Sequence, residues 1–356
     1  MPAAGRKGTS KPSVGRCRAV KPAATVLAAA LALVVSPAGA GPQQPRKPAP
    51  GERQQAQNPD SAPGLSQLAR GGGFTASVEM VRVPVVVIDG RNEFVRSLGE
   101  SDFAVRDGGR IYRVEHFVAD TEPTGVGILV DSGSDMAPYV DDLRRAVTTI
   151  AAELRANNEL FLIGFAGRVE TLAPRTADRL EIAAALEGLR PGRDGDVRRL
   201  YDAVGQGLRL LEGARHDKRS LIVIGAGLDF GSRIGELALQ KAIHEAGVTI
   251  HAIDMSPPEA RARRRNEPRV NRVQTLPELV RFSGGLLARR PAVPERFGGV
   301  GNWLENAGAS ISRYVNHQYL LHYTPLDPPR SGSWRTIRVE VTGNYKEVRA
   351  RSGYMR

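Results

Sequence analysis

Cysteine is all but missing. The 356-residue chain has one, Cys17, which excludes an intrachain disulfide and any cysteine-built metal centre. Histidine is sparse too: His116, His216, His244, His251, His317 and His322 stand at no metal-ligand spacing, so none marks a zinc-type site. His251 falls in an apolar run and reads as a core or rim residue. The G-x-S-x-G elbow of serine hydrolases is absent, and Ser132 and Ser134 have no histidine near them in sequence. Aromatic residues make up only 5% of the chain and do not interleave with its basic clusters, which disfavours a nucleic-acid partner. What is present, 41% hydrophobic and 25% charged residues, suffices for one large domain and a smaller one.

Acidic residues are missing from the first 40 positions, where Arg6, Lys7, Lys11, Arg16, Arg18 and Lys21 supply charge of one sign. An Ala/Leu/Val run from Ala23 to Val35 follows, then Ser36-Pro-Ala-Gly-Ala40. A basic region, a short apolar segment and small residues at 38 and 40 form a secretory signal, so residues 1–40 read as a signal peptide and the protein as exported, periplasmic or extracellular. The rival reading is an uncleaved anchor over 23–40. Cleavage after Ala40 removes Cys17 and six of the basic residues behind the net charge of +12. Cys17 precedes the apolar run and is not placed as a lipoprotein acceptor. Residues 41–73, rich in Pro, Gln, Gly and Arg, read as a disordered linker.

From 74 to 120 the pattern is alternating and β-branched, broken at Asp89-Gly90 and Asp107-Gly108-Gly109, and predicts antiparallel strands. From 124 to 316 short apolar runs alternate with helical periodicities, which predicts an α/β domain with a mostly parallel sheet covered by helices on both faces. Its strands are read near 126–131, 160–165, 220–224 and 248–253, with a short edge strand at 169–172. Its helices include one carrying Leu180, Ala184 and Leu186, one carrying Leu200, Val204, Leu208 and Leu211, one over 234–246 closed by Gly247, and one over 302–315. Residues 317–356 alternate again. They are expected to pack with 74–120 in one small β-sandwich-like module, the alternative being two separate small sheets.

The most telling stretch is Gly125-Val-Gly-Ile-Leu-Val-Asp-Ser-Gly-Ser-Asp-Met136. An apolar strand ends at Asp131, a small-residue turn follows, and a helix with Val140, Leu143, Val147, Ile150 and Leu154 begins with Pro138 in its first turn. Strand ends of this kind shape the ligand crevices of open α/β sheets. The stretch resembles the first motif of a von Willebrand factor type A (VWFA) domain, in particular the VWFA-related proteins of Acidobacteria and other bacteria. The resemblance runs over residues 79 to 354, through Asp102-Phe-Ala-Val105, Leu200-Tyr-Asp-Ala203, Gln318-Tyr-Leu-Leu321 and Gly353-Tyr354. It implies a VWFA fold and a metal-ion-dependent adhesion site, where Mg²⁺ is held by an Asp and two Ser of the first loop, a Thr of the second and an Asp of the third.

Carried over position by position, Asp131 is kept, the first Ser is Gly133, the second Ser is Asp135, the Thr is Arg198 and the third-loop Asp is Ala226. Asp229 stays in that third loop. A guanidinium keeps its proton and repels a divalent cation, and it pairs well with carboxylates. Arg198 is therefore expected to bridge to Asp131 or Asp135 where relatives hold metal; the alternatives are that it points to solvent, or that Asp131, Ser132, Ser134 and Asp135 still hold Mg²⁺. Gly225-x-Gly-x-x-x-Gly231 imitates a dinucleotide fingerprint with the wrong spacing and an acid, Asp229, facing any pyrophosphate. An arginine-rich excursion, Arg261, Arg263, Arg264, Arg265, Arg269 and Arg272, reads as a solvated loop or a contact for an anionic membrane surface or polyanion. Together these imply an exported, non-enzymatic binding or adhesion-type module, without cofactor, that recognises a protein or cell-surface polymer through the top-face loops of the VWFA-like domain or through the β module. The alternatives are metal-dependent adhesion through Asp131 and Asp135, and an unrecognised hydrolase.

Overall fold

The computed structural model describes residues 80–355 apart from 194, 196, 267–275 and 327–333. The segments read as signal peptide and linker, with Arg269 and Arg272, lie outside the described residues, as do the side chains of Arg264 and Arg265. The chain begins in strands β1 (Val81–Ile88), β2 (Phe103–Asp107), β3 (Arg110–Arg113) and β4 (His116–Val118). It continues through β5 (Thr124–Asp131), α1 (Val140–Glu153), β6 (Glu159–Phe165), β7 (Val169–Thr176), α2 (Arg179–Ala185) and α3 (Leu200–Glu212). Next come β8 (Lys218–Gly225), α4 (Glu236–Ala246), β9 (Thr249–Asp254), α5 (Pro258–Asn266), α6 (Leu276–Ser283), β10 (Leu287–Arg289) and α7 (Val300–Asn316). Strands β11 (Tyr319–Tyr323), β12 (Trp334–Val341), β13 (Glu347–Ala350) and β14 (Gly353–Met355) close it.

The six-stranded sheet runs β10-β9-β8-β5-β6-β7, parallel except for the edge strand β7. Every residue of β5 is buried, as an apolar run in a sheet covered on both faces requires. Its side chains divide by the period of two: Val126, Ile128 and Val130 join one core with α1, α2 and α7, while Leu129 faces α3, α4 and α6. Helix α1 turns Val140, Leu143, Val147 and Ile150 inward at intervals of three and four. Helix α4 stops at Gly247, whose left-handed φ of +61° needs no Cβ and whose N–H donates to His244 O at 3.2 Å.

Four sequence expectations change in detail. Leu180 is 77% exposed; in the short α2 the inward stripe is Ile182 with Leu186 one turn on, which leaves Leu180 on the outer side. The edge strand extends to Thr176, since antiparallel pairing with β6 continues past two register irregularities. Pro138 lies in a 3₁₀ segment, Ser134–Tyr139, ahead of the α-helix rather than in its first turn. The basic excursion is helical over its described part, α5, with Pro258 at its first position; a nine-residue helix with four arginines and no large apolar side chain offers no apolar periodicity to read.

The two terminal segments interleave in two antiparallel sheets, β13-β1-β11-β4 and β14-β12-β2-β3. Val83, Val85, Leu321 and Tyr323 of the first share a core with Val105, Ile337 and Val339 of the second. Buried Asp107 accepts hydrogen bonds from Tyr323 Oη (3.0 Å), Tyr354 Oη (2.9 Å) and Arg335 Nε (2.9 Å), which satisfies a charge that burial alone would penalise. The α/β part is thus inserted between β4 and β11. Where it leaves and returns, buried Lys218 donates to Ala119 O (3.2 Å), Asp120 O (2.8 Å) and Gln318 O (3.0 Å). Burial pulls this ammonium down to a pKa of about 7, while three carbonyls match its three N–H donors. Among the described residues no helix is long and apolar enough to cross a membrane.

Candidate functional site

Strand β5 pairs with β6 on one side and β8 on the other, so the order of connections reverses at its carboxyl end. That switch point is where an open α/β sheet opens a crevice. Asp131 ends β5 there, fully buried. Its Oδ1 accepts from the Gly133 N–H at 2.9 Å and its Oδ2 from the Ala226 N–H at 3.3 Å. Burial raises its pKa to about 6, against the lowering pull of those N–H groups and of Arg198.

Arg198, at the head of α3, enters the same space. Its Nη2 lies 2.5 Å from Asp135 Oδ1 and its Nε 3.6 Å from Asp131 Oδ1. The guanidinium side chain is only 5% exposed, whereas that of Asp135 is 43% exposed, so the pair has its cation inside and its anion on the lip. Gly133 makes this possible. A Cβ on residue 133 would run into the Arg198 guanidinium; the missing side chain and the arginine are two halves of one packing arrangement.

The remaining loop residues do other work. Ser132 is buried, its N–H donates to Phe165 O at 2.9 Å and its hydroxyl points to the same oxygen at 3.4 Å. Ser134 opens the 3₁₀ segment and is partly exposed. Asp229 does not face the Arg198 site: its Oδ1 accepts from Tyr201 N (3.0 Å) and Ser232 Oγ (2.5 Å), which fixes the start of α3. The glycines that imitate a dinucleotide loop are packing points, Gly225 against Asp131 and Gly231 against Val197, and α4 begins only at Glu236. Asp254, which trails that loop, is turned back onto Ser256 N at 2.9 Å. Among the described residues no three His, Cys, Asp or Glu side chains gather as a metal cluster. All six histidines are described, and none hydrogen-bonds to Ser132 or Ser134.

The sequence reading passed over the neighbouring groove between residues 166–172 and 188–193, with Ser132 on its inner side. Its arginines follow the end of β6 and the end of α2, more than twenty residues apart, and only the recurrence of Gly and Arg at both places hinted at a shared site.

A mostly parallel sheet in this order, layered by helices on both faces, with an aspartate and small-residue turn at the switch point, has the von Willebrand factor A-type α/β fold. No protein-family model matches the sequence, and no curated protein does. Among solved structures the chain is similar to BatB from Bacteroides thetaiotaomicron, with 19% identity over 54% of this chain and 98% of that one and a TM-score of 0.41. An aerotolerance-related membrane protein from Bacteroides fragilis gives 18% identity over 55% and 99%, with a TM-score of 0.40. A von Willebrand factor type A protein from Catenulispora acidiphila gives 10% identity over 78% and 75%, with a TM-score of 0.41. Likeness at this level carries no statement about ligand or activity.

Proposed function

We propose that the protein is an exported, non-catalytic binding module that engages a protein or surface-polymer partner through the loops at the carboxyl ends of β5, β6 and β8, without a metal ion. The observation that carries this reading is the Arg198 guanidinium against Asp131 and Asp135, in the room left by Gly133. A permanent cation there takes the electrostatic place of a divalent ion and opposes its entry. Catalysis is disfavoured because the Ser132 hydroxyl points to Phe165 O and, among the described residues, no histidine hydrogen-bonds to it. Export rests on the basic, apolar and small-residue pattern of residues 1–40. The basic segment around Arg261 and Arg263 is set aside as the main contact, since Arg261 is engaged with Ser256 O and, at 2.7 Å, with Arg290 O.

A ligand that binds only the folded state raises the melting temperature by mass action. Excess Mg²⁺ or Mn²⁺, compared with EDTA, is expected to leave the melting temperature of the purified protein unchanged. A metal-induced rise that Asp131→Ala abolishes sinks the metal-free reading and restores adhesion through Asp131 and Asp135.

A further inference from the structure

The groove beside the Arg198 site has a volume of about 510 Å³, within the range of roughly 300–1,000 Å³ typical of small-ligand pockets. One wall is the turn between β6 and β7, the other the segment after α2. Both walls are pinned. Arg199 Nε donates to Gly167 O at 2.8 Å, Arg144 donates to Leu186 O and Leu189 O at 3.3 and 3.2 Å, and Gly192 N donates to Ser132 O at 2.6 Å. The groove is therefore preformed and adds little ordering cost to binding.

Its chemistry is two-sided. Leu172 and Leu189 supply an apolar floor, and Arg168, Arg190 and Arg193 stand around it. Arg168 holds Glu170 at 2.9 Å, and Arg190 is exposed with no polar partner among the described residues. Guanidinium forks fit carboxylate and phosphate alike. Glu170, half exposed and paired to Arg168, tips the choice, because its carboxylate repels a dianionic phosphate more than a single negative charge. A floor that accepts methylenes below a rim that accepts a carboxylate describes a glutamate side chain.

From this we infer that the groove is a receptor for a glutamate side chain on an extended segment of the partner protein. The inference rests on the proposed use of the loop face for binding and names the chemistry it recognises. Arg190 and Arg168 grip the carboxylate, and the leucines bury its stem.

The test is fluorescence anisotropy of the purified full-length protein with a labelled Gly-Glu repeat octapeptide, its Gly-Gln counterpart and a Gly-phosphoserine counterpart. The Glu peptide is expected to bind at least tenfold more tightly than either. Arg168→Ala with Arg190→Ala is expected to weaken it at least tenfold. Arg209→Ala with Arg263→Ala removes equal charge from exposed positions elsewhere and is expected to leave binding within twofold; circular dichroism checks that both double variants fold. Absence of Glu-peptide binding overturns the inference, as does equal binding of the Gln peptide, tighter binding of the phosphoserine peptide, or equal loss in the two double variants. The metal experiment turns on Asp131 and Asp135, neither of which lines this groove, so failure here leaves the metal-free reading standing. A metal response with intact Glu-peptide binding removes the Arg198 reading alone.

Discussion

A single missing side chain governs the switch-point site. Gly133 is conformationally ordinary there, with φ of −58°; what it provides is space, because any Cβ collides with Arg198. Overpacking of this kind costs about 1–3 kcal/mol. Gly133→Ser is thus expected to lower unfolding stability by about that amount in urea denaturation. In an Arg198→Thr background the same change should cost little, giving a coupling of about 1 kcal/mol or more in a double-mutant cycle. Strict additivity would show that the two positions are unrelated. Asp131, Gly133, Asp135 and Arg198 were all legible in the sequence, since a strand-end motif and a second-loop motif placed them by position. Their mutual geometry was not, because solvent exposure and ion pairing of Arg198 are equally compatible with the letters.

At the scale of elements, legibility followed periodicity. Strands β5, β6, β8 and β9 and helices α1, α3, α4 and α7 announced themselves by apolar spacing, because each buries a face or both faces against a neighbour. Helix α5 did not, as it carries four arginines and no large apolar side chain, and α2 misled by one side chain, Leu180, that its short span turns outward. Lys218 was invisible for a different reason. A lysine at the start of an apolar strand ordinarily faces water, and only the fold shows it clamping two chain crossings. Its truncation in Lys218→Met leaves two buried carbonyl oxygens and a half-buried one without their donor; the expected loss is about 3 kcal/mol, judged from about 1–3 kcal/mol for an orphaned buried group. A change within 0.5 kcal/mol in denaturant unfolding would mean that water or a local shift replaces the clamp.

For the whole molecule, the interleaving of β1–β4 with β11–β14 makes a stronger statement than adjacency of two domains. Each sheet of the sandwich needs strands from both ends of the described chain, so residues 80–118 alone leave β1 without β11 and β13. A polypeptide joining residues 80–120 to 317–356 by a short flexible linker should fold with cooperative thermal unfolding, whereas residues 80–120 alone should not. Failure of the joined form would mean that the sandwich depends on the inserted α/β part for its core. This arrangement was foreshadowed by alternating residues on both flanks of the helical region, but their pairing partners lie more than 200 residues apart and no local pattern encodes them.

Lys218 also has a mechanical meaning. It ties Asp120 and Gln318, the departure and return of the inserted part, within reach of one ammonium group. Tension drawn through β1 at one side and β13 or β14 at the other is then carried by strand pairs of the sandwich, and the parallel sheet hangs outside the line of load. In the proposed binding role, the loop face at its far end is therefore expected to keep its shape under tension until the sandwich itself gives way.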